Sequence, residues 1–243
     1  MLTATFWGLV GGVALLLGAV LGIYLDVPSR IIGLVMAFGG GVLISAVAFE
    51  LLDESARTGH VDTLAIGMGL GALTFFAGDW VIDHRGGEHR KRSGGQQAEG
   101  QPGAIVLGAL LDGIPESVAI GVSLIGGRSA VSVPVVAAVF LSNVPESMSA
   151  ATGLQRAHHS NAWILRLWLG VTVVAGVAAG LGYLLLGDAS PDLLAGIEAF
   201  AAGAILTMLA DTMMPEAFEA GGSWVGLVTV AGFVISVALS TSS

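Results

Sequence analysis

The chain has 243 residues, of which 54% are hydrophobic, 11% are charged and 37 are glycine, with a formal net charge of −9 and no cysteine. Soluble domains carry about 25% charged residues, so this composition excludes an ordinary water-soluble domain and indicates a polytopic membrane protein. The acidic balance argues against nucleic acid as a partner, and the absence of cysteine excludes disulfides and thiolate metal sites.

Apolar segments of about 20 residues, the length needed to cross a bilayer, recur along the whole chain. They predict a single all-α transmembrane domain over residues 1–243, with eight spans near residues 4–25, 31–52, 62–83, 103–125, 131–154, 161–187, 192–213 and 222–241. Residues 84–103 are rich in Gly, Gln and basic residues, which predicts a flexible loop between the third and fourth spans. The acids near the ends of the second and seventh spans are expected in helix termini or loops: Asp53, Glu54, Glu216 and Glu219.

The basic residues predict the orientation, because loops with excess Lys and Arg stay in the cytoplasm. With eight spans and both termini outside, only Arg57 and Arg128 of the nine Lys and Arg residues fall outside, and the other seven fall at cytoplasmic ends. We therefore expect residues 84–103 to form a cytoplasmic loop.

The fourth and fifth predicted spans carry matching acidic segments that each contain a proline. Residues 112–117 read Asp-Gly-Ile-Pro-Glu-Ser, and residues 142–147 read Ser-Asn-Val-Pro-Glu-Ser. A carboxylate at the middle of a bilayer helix costs about 2.5 to 3.5 kcal/mol. Asp112, Glu116 and Glu146 therefore need a compensating partner, and a cation is the partner we expect because no Lys or Arg lies near them in the sequence.

Helical periodicity places these acids on faces that hold further oxygen atoms. Asp112 and Glu116 are four residues apart and share a face, as do Ser142 and Glu146. The proline of each motif lacks an amide hydrogen, which frees a carbonyl one turn earlier. Such an oxygen-rich site suits Mg²⁺, Mn²⁺ or Ca²⁺, and carboxylates also bind Fe²⁺ and Zn²⁺. The alternative is that the prolines only kink the helices and the acids are protonated packing groups.

The second and seventh predicted spans also resemble each other. Residues 41–45 read Gly-Val-Leu-Ile-Ser and align with Gly-Ala-Ile-Leu-Thr at 203–207. In both spans an acidic residue follows nine residues after the end of the aligned segment. Because the two spans run in opposite directions, they predict a 3+2+3 inverted repeat with a transport site at the repeat interface. Glu50 and Asp211 in these spans are further candidate ligands or proton carriers, although a position near a helix end explains Glu50 equally well.

With these features the sequence resembles the ZIP family of divalent metal transporters over essentially the whole chain. Residues 112–117 are similar to the family's fourth-helix motif His-Asn-x-Pro-Glu-Gly, and residues 142–147 to its fifth-helix motif, which ends in x-Pro-Glu-Gly. The resemblance implies uptake of Zn²⁺, Fe²⁺ or Mn²⁺ into the cytoplasm by a protein that is not an enzyme and holds no cofactor. It also implies a homodimer in the inner (cell) membrane, and an elevator-type motion of helices one, four, five and six against the rest.

Carried over by position, the resemblance implies a principal metal site at Asp112, Glu116, Ser142 and Glu146. Asn143, together with Gly113, falls where a second, bridging metal would be held; a second metal is not expected, because Asn143 is neutral and Gly113 has no side chain.

Asp112 replaces the histidine of the family motif, and none of the five histidines lies in a predicted span. Without imidazole, we expect selectivity to move from Zn²⁺ toward Mn²⁺, Fe²⁺ or even Mg²⁺. The motif glycines are replaced by Ser117 and Ser147, which leaves tighter or blocked helix contact as a possible consequence.

Two other functions are kept open by the sequence. A transport-inactive metal sensor or partner protein on the same fold would bind metal without flux. An intramembrane aspartyl hydrolase would use Asp79 and Asp112 as paired acid and base. Such proteases show a Gly-x-Gly-Asp segment, and here Phe76 stands at the position of the first glycine. Substrate cleavage would identify the hydrolase.

Overall fold

The computed structural model describes residues 1–87, 102–125 and 132–240. Nearly all of these residues are helical, because long apolar segments in a bilayer satisfy their backbone hydrogen bonds internally only as helices. The α-helices in the described residues are α1 (Leu2–Tyr24), α2 (Ser29–Ala46), α3 (Asp53–Thr58), α4 (Val61–Ile82), α5 (Pro102–Val122), α6 (Val133–Arg156), α7 (Asn161–Leu186), α8 (Pro191–Met208), α9 (Met214–Gly221) and α10 (Val225–Ser240). Within these described residues, three π-helical segments, Val47–Leu52, Asp83–Gly87 and Leu209–Met213, and a 3₁₀ turn, Gly222–Trp224, extend or join the α-helices.

Within the described residues, seven helical segments are long and apolar enough to cross a membrane: Leu2–Tyr24, Ser29–Thr58, Val61–Gly87, Gly103–Val122, Val133–Arg156, Asn161–Leu186 and Pro191–Ser240. The predicted all-helical, multi-pass membrane protein is thereby confirmed. The last segment has 50 residues, whereas one crossing needs about 20. It contains both of the last two predicted spans, and Gly222, with a φ of +68°, interrupts the helix between them. The count of eight crossings stays a prediction.

The acids at the ends of the second and seventh predicted spans lie near helix ends, in the short helices α3 and α9, which agrees with their prediction as helix termini and excludes loops. Asp53 and Glu54 lie in α3, the last part of the continuous helical segment Ser29–Thr58. Arg57, one turn later, pairs with Asp53 at 2.8 Å. Glu216 and Glu219 lie within α9.

The predicted loop at residues 84–103 falls mostly outside the described residues, which resume at residue 102. At its start, α4 continues as a π-helical turn to Gly87. The chain leaves helical geometry at Arg85 and at Gly86, which has a φ of +85° and therefore suits glycine. At its end, α5 begins at Pro102, a favoured first residue of a helix.

The helices associate in two groups. In the first group α1 packs against α6 and α7, and α5 packs against α7. In the second group α2 packs against α10 and α9, while α4 packs against α8, and α8 contacts the π-helical segment that follows α2. Contacts of α2 with α6, and of α5 with α8 and α4, join the two groups.

Small residues let these helices approach closely, as is usual in membranes, where packing replaces the hydrophobic effect as the driving force. Gly71 of α4 lies so near the carbonyl of Phe200 in α8 that a Cβ there would overlap it. Gly232 of α10 lies in the same way against the carbonyl of Phe38 in α2. The register that aligns the second and seventh predicted spans also pairs Phe38 with Phe200, so the two contacts are equivalent.

The two aligned helices also change geometry at the same point. The α-helix α2 passes into the π-helical segment Val47–Leu52, and α8 passes into Leu209–Met213. Val47 and Leu209 are paired by the same register. Single π-helical turns inside longer helices are rare and often lie at functional sites, and each of these segments holds one of the predicted acids, Glu50 or Asp211.

Candidate functional site

Helix α5 carries two acids inside the helix bundle. The side chain of Asp112 is 3% exposed and that of Glu116 is 1% exposed. Pro115 lies inside the helix between them and cannot donate to the carbonyl of Leu111. Burial of a carboxylate away from water is costly unless hydrogen bonds or a cation compensate it. This part of α5 therefore buries two carboxylates within one turn of each other, and their role as metal ligands stays a prediction.

Helix α6 buries its own motif just as completely. Ser142, Asn143 and Glu146 are 0%, 4% and 3% exposed. The hydroxyl of Ser142 donates to the carbonyl of Val139 at 3.0 Å. The side-chain amide of Asn143 donates to the carbonyl of Gly11 in α1 at 3.3 Å, so the NH₂ group of Asn143 is directed at a neighbouring helix.

Pro145 frees a carbonyl in α6, and that carbonyl lies where the two helix groups meet. Because Pro145 has no amide hydrogen, it cannot bond to the carbonyl of Leu141. Gly39 of α2 lies directly opposite, and a Cβ at Gly39 would be 3.0 Å from the Leu141 oxygen. The freed oxygen is therefore at the contact of α2 with α6, one turn before Glu146.

The serines that end the two motifs make the same internal hydrogen bond. Ser117 donates to the carbonyl of Gly113 at 2.7 Å, and Ser147 donates to that of Asn143 at 2.7 Å. Ser147 also lies against Gly18 of α1. A glycine on α1 thus faces the serine on α6, and close contact of α1 with α6 is kept, not blocked.

Five of the predicted site residues lie on α5 and α6, and all of them are buried: Asp112, Glu116, Ser142, Asn143 and Glu146. Among the described residues, no three His, Cys, Asp or Glu side chains converge closely enough to hold a metal ion. Asp112, Glu116 and Glu146 therefore do not form a closed three-carboxylate cage in this conformation. Their joint role as ligands stays a prediction.

Glu50 lies apart from the motif on α6. The carboxylate of Glu50 accepts a hydrogen bond from Ser132, the residue before α6, at 2.8 Å. At a rise of about 1.5 Å per residue, Ser142 is about 15 Å further along that helix. Asp211 lies in the π-helical segment after α8 and its side chain is exposed. The structure does not place Glu50 beside the α6 motif.

A buried acid that the sequence analysis did not single out lies in α8. Glu198 is 5% exposed and accepts a hydrogen bond from Ser55 of α3 at 3.2 Å. Together with Glu54 and Thr58 it lines a cavity of about 240 Å³ between α3, α8 and the end of α5. The sequence does indicate Glu198 as a candidate, because an acid inside an apolar span indicates function. Its hydrogen-bond partner Ser55, however, is remote in the sequence.

A second buried pair joins α9 to α6. Ser149 of α6 donates a hydrogen bond to Glu216, which is 5% exposed. Ser149 lies seven residues after Ser142 and three after Glu146, so the three polar side chains follow one face of α6. The spacing of these residues predicts the face, whereas the contact with Glu216 requires the fold.

Comparison with known proteins supports the sequence analysis. No protein-family model matches the chain. The chain is 29% identical over 225 residues to a protein named zinc transporter ZupT from Enterobacter sp. (strain 638), a match that covers 87% of the chain and 85% of that protein. It is also 29% identical over 236 residues to the zinc transporter ZupT of Salmonella heidelberg (strain SL476), with 90% and 88% covered. These matches along nearly the whole chain confirm its resemblance to the ZIP family of divalent metal transporters.

Proposed function

We propose that this protein transports divalent metal ions, such as Zn²⁺, Fe²⁺ or Mn²⁺, across the membrane into the cytoplasm. The observation that carries the proposal is the burial of Asp112, Glu116 and Glu146 in apolar helices of a chain that matches proteins named as zinc transporters. A transporter moves its substrate without converting it, so the protein is not an enzyme. The relatives' names lend no support to an aspartyl hydrolase.

The proposed metal site lies between α5 and α6. Asp112, Glu116, Ser142 and Glu146 supply its side-chain oxygens, and the carbonyl freed by Pro145 is an additional ligand. The metal ion is the transported substrate and not a resident cofactor. Burial of these groups supports the site, since a cation offsets the cost of several carboxylates in one low-dielectric region.

Three further predicted residues have roles outside the principal metal site in this proposal. The hydrogen bond from Asn143 to Gly11 supports a single-metal site, because the NH₂ group of Asn143 is engaged with α1. Glu50 and Asp211 lie in the paired π-helical segments, where they would contribute to the passage of the ion and not to the principal site.

The proposed topology has eight crossings, both termini outside and a 3+2+3 inverted repeat. Two observations support the repeat. The contacts of Gly71 with Phe200 and of Gly232 with Phe38 are equivalent, and the π-helical segments occupy matching positions. The interruption at Gly222 supports a separate last crossing. The bias of Lys and Arg places residues 84–103 in the cytoplasm of a multi-pass inner-membrane protein.

The proposed transport cycle moves the group formed by α1, α5, α6 and α7 against the group formed by α2, α4, α8 and α10. The way the helices associate supports this division, since α5 has its most extensive contact with α7 and α6 has its most extensive contact with α1. Such a movement carries the site on α5 and α6 past α2 and α8. The homodimer is proposed from the family resemblance.

The experiment that tests the proposal is uptake of Mn²⁺, Fe²⁺, Zn²⁺, Cd²⁺ and Mg²⁺ into proteoliposomes, together with a calorimetric metal titration. The double variant Glu116→Gln/Glu146→Gln keeps the side-chain shapes but removes two charges, so we expect it to lose metal binding and uptake. Asp62→Asn, which changes an exposed acid at the start of α4, is the control and should behave as the parent.

Each other outcome identifies a different function. Metal binding by the parent without uptake of any ion would indicate a sensor or partner protein. A double variant that binds and transports as the parent does would show that Glu116 and Glu146 are packing groups and that the site is wrong.

A further inference from the structure

The carboxylate of Glu50 joins three elements at one end of the molecule. Its Oε2 atom accepts a hydrogen bond from the hydroxyl of Ser132 at 2.8 Å, and its Oε1 atom accepts one from Ser240 at 2.6 Å. Glu50 lies in the π-helical segment after α2, Ser132 precedes α6, and Ser240 ends α10. Both carboxylate oxygens are therefore engaged by hydroxyl donors, with bonds of the strong, charge-assisted kind.

Ser132 is itself anchored to α5 and α6. Its hydroxyl accepts a hydrogen bond from the backbone amide of Val135 at 3.4 Å and so caps the start of α6. Its own backbone amide donates to the hydroxyl of Ser123, just after α5, at 3.4 Å. Any movement of the ends of α5 and α6 at this side therefore carries Ser132 with it.

We propose that Glu50 and Ser132 form a latch that holds the two helix groups together at this end and must open during transport. The proposal rests on the proposed function, in which α5 and α6 move against α2 and α10. The bond from Glu50 to Ser132 crosses between the groups, whereas the bond from Glu50 to Ser240 lies within one group. Glu50 is thus a gating residue and not a metal ligand.

Three substitutions distinguish the effect of breaking the latch from the effect of losing the helix cap. Ser132→Asp keeps a good capping side chain but places a second carboxylate against Glu50, which breaks the latch. Ser132→Thr keeps both the cap and the hydroxyl donor. Ser240→Ala removes only the bond within one helix group.

Opening is read as the reactivity of a single thiol. The chain has no cysteine, so Val47→Cys, one turn before Glu50 at a side chain that is 1% exposed, supplies a unique probe. In nanodiscs, we expect Ser132→Asp to raise the rate of labelling by a water-soluble maleimide about tenfold, the equilibrium ratio equivalent to one hydrogen bond to a charged group. Ser132→Thr and Ser240→Ala should change it by about twofold or less.

Equal labelling rates in Ser132→Asp and Ser132→Thr would overturn the latch. Should Ser132→Asp not fold, a cross-linking experiment decides. Joining Glu50→Cys to Ser132→Cys with a short, cleavable bifunctional thiol reagent should stop metal uptake until the reagent is cleaved. Joining Glu50→Cys to Ser240→Cys should leave the uptake of that variant at its level before joining, and uptake that persists after Glu50→Cys is joined to Ser132→Cys would refute the proposal. The labelling experiment needs no metal. If the parent protein does not transport metal, the proposed function is contradicted, but the existence of the latch is still decided by the labelling rates.

Discussion

The close contact of α4 with α8 allows a stability prediction that depends on a single methyl group. A Cβ added at Gly67 would lie 2.5 Å from the carbonyl oxygen of Gly196 and 3.1 Å from the Cβ of Ala199. Gly69, two residues further along the same helix, has nothing within 4 Å of the same position. The substitutions Gly67→Ala and Gly69→Ala therefore both add one methyl group, but the methyl at position 67 overlaps α8 and the methyl at position 69 enters open space.

The overlap at Gly67 sets the expected cost. The 2.5 Å separation is about 0.9 Å less than the 3.4 Å at which ordinary van der Waals contact begins. The atom in the way is a backbone oxygen within α8, which cannot rotate aside, so α4 and α8 must move apart. Overpacking of this kind costs about 1 to 3 kcal/mol. Alanine in a helix is more favourable than glycine by about 0.5 to 1 kcal/mol. Both variants gain this amount, so it cancels, and we expect them to differ by about 1 to 3 kcal/mol.

The assay is equilibrium unfolding of the detergent-solubilised protein by increasing fractions of sodium dodecyl sulphate, followed by the fluorescence of the five tryptophans. Gly67→Ala should unfold at a lower denaturant fraction than the parent, and Gly69→Ala at an equal or higher one. A Gly67→Ala protein as stable as Gly69→Ala would refute the helix separation on which the calculation depends.

Two further predictions concern the metal site and the repeat. Asp112→His restores the imidazole of the family motif and should shift the preference in a competition titration toward Zn²⁺ over Mn²⁺; unchanged preference would remove Asp112 from the site. Gly71→Ala and Gly232→Ala each introduce a Cβ that overlaps a carbonyl in the partner helix, and should lower stability by similar amounts, about 1 to 3 kcal/mol each. Gly226→Ala, with nothing within 4 Å, is their control in the same unfolding assay, and a loss confined to one of the pair would contradict an equivalent contact.

The sequence predicts the helices well, because one span of apolar residues forms one helix whatever its neighbours are. The predicted first span ends at residue 25 and α1 ends at Tyr24, and the sixth, predicted at residues 161–187, is α7, Asn161–Leu186. The predictions fail where the apolar run stops before the helix does. Asp53 and Glu54 lie beyond the apolar run, yet the helix continues through them to Thr58, and Arg57 pairs with Asp53 there. Hydropathy does not register such a pair.

The paired motifs on α5 and α6 could also be predicted from the sequence, because they too depend only on residues within one helix. The spacing of Asp112 and Glu116, and of Ser142 and Glu146, follows from helical periodicity alone, and a carboxylate in an apolar span is a functional signal wherever it occurs. The identity of the candidate site, the kinks expected at its prolines and the preference for oxygen-binding cations therefore needed no tertiary information.

What only the tertiary structure decided is which side chains meet across helices. Glu50 is 82 residues from Ser132 and 190 residues from Ser240, and Ser55 is 143 residues from Glu198. No periodicity relates positions so far apart, since the contacts depend on how whole helices are placed by glycine-mediated packing. The sequence by itself therefore determined the helices and the chemistry of the candidate site, because both are set within one or two helical turns. The helix groups and the latch that joins them were decided by the fold, because each requires two distant segments to occupy the same place.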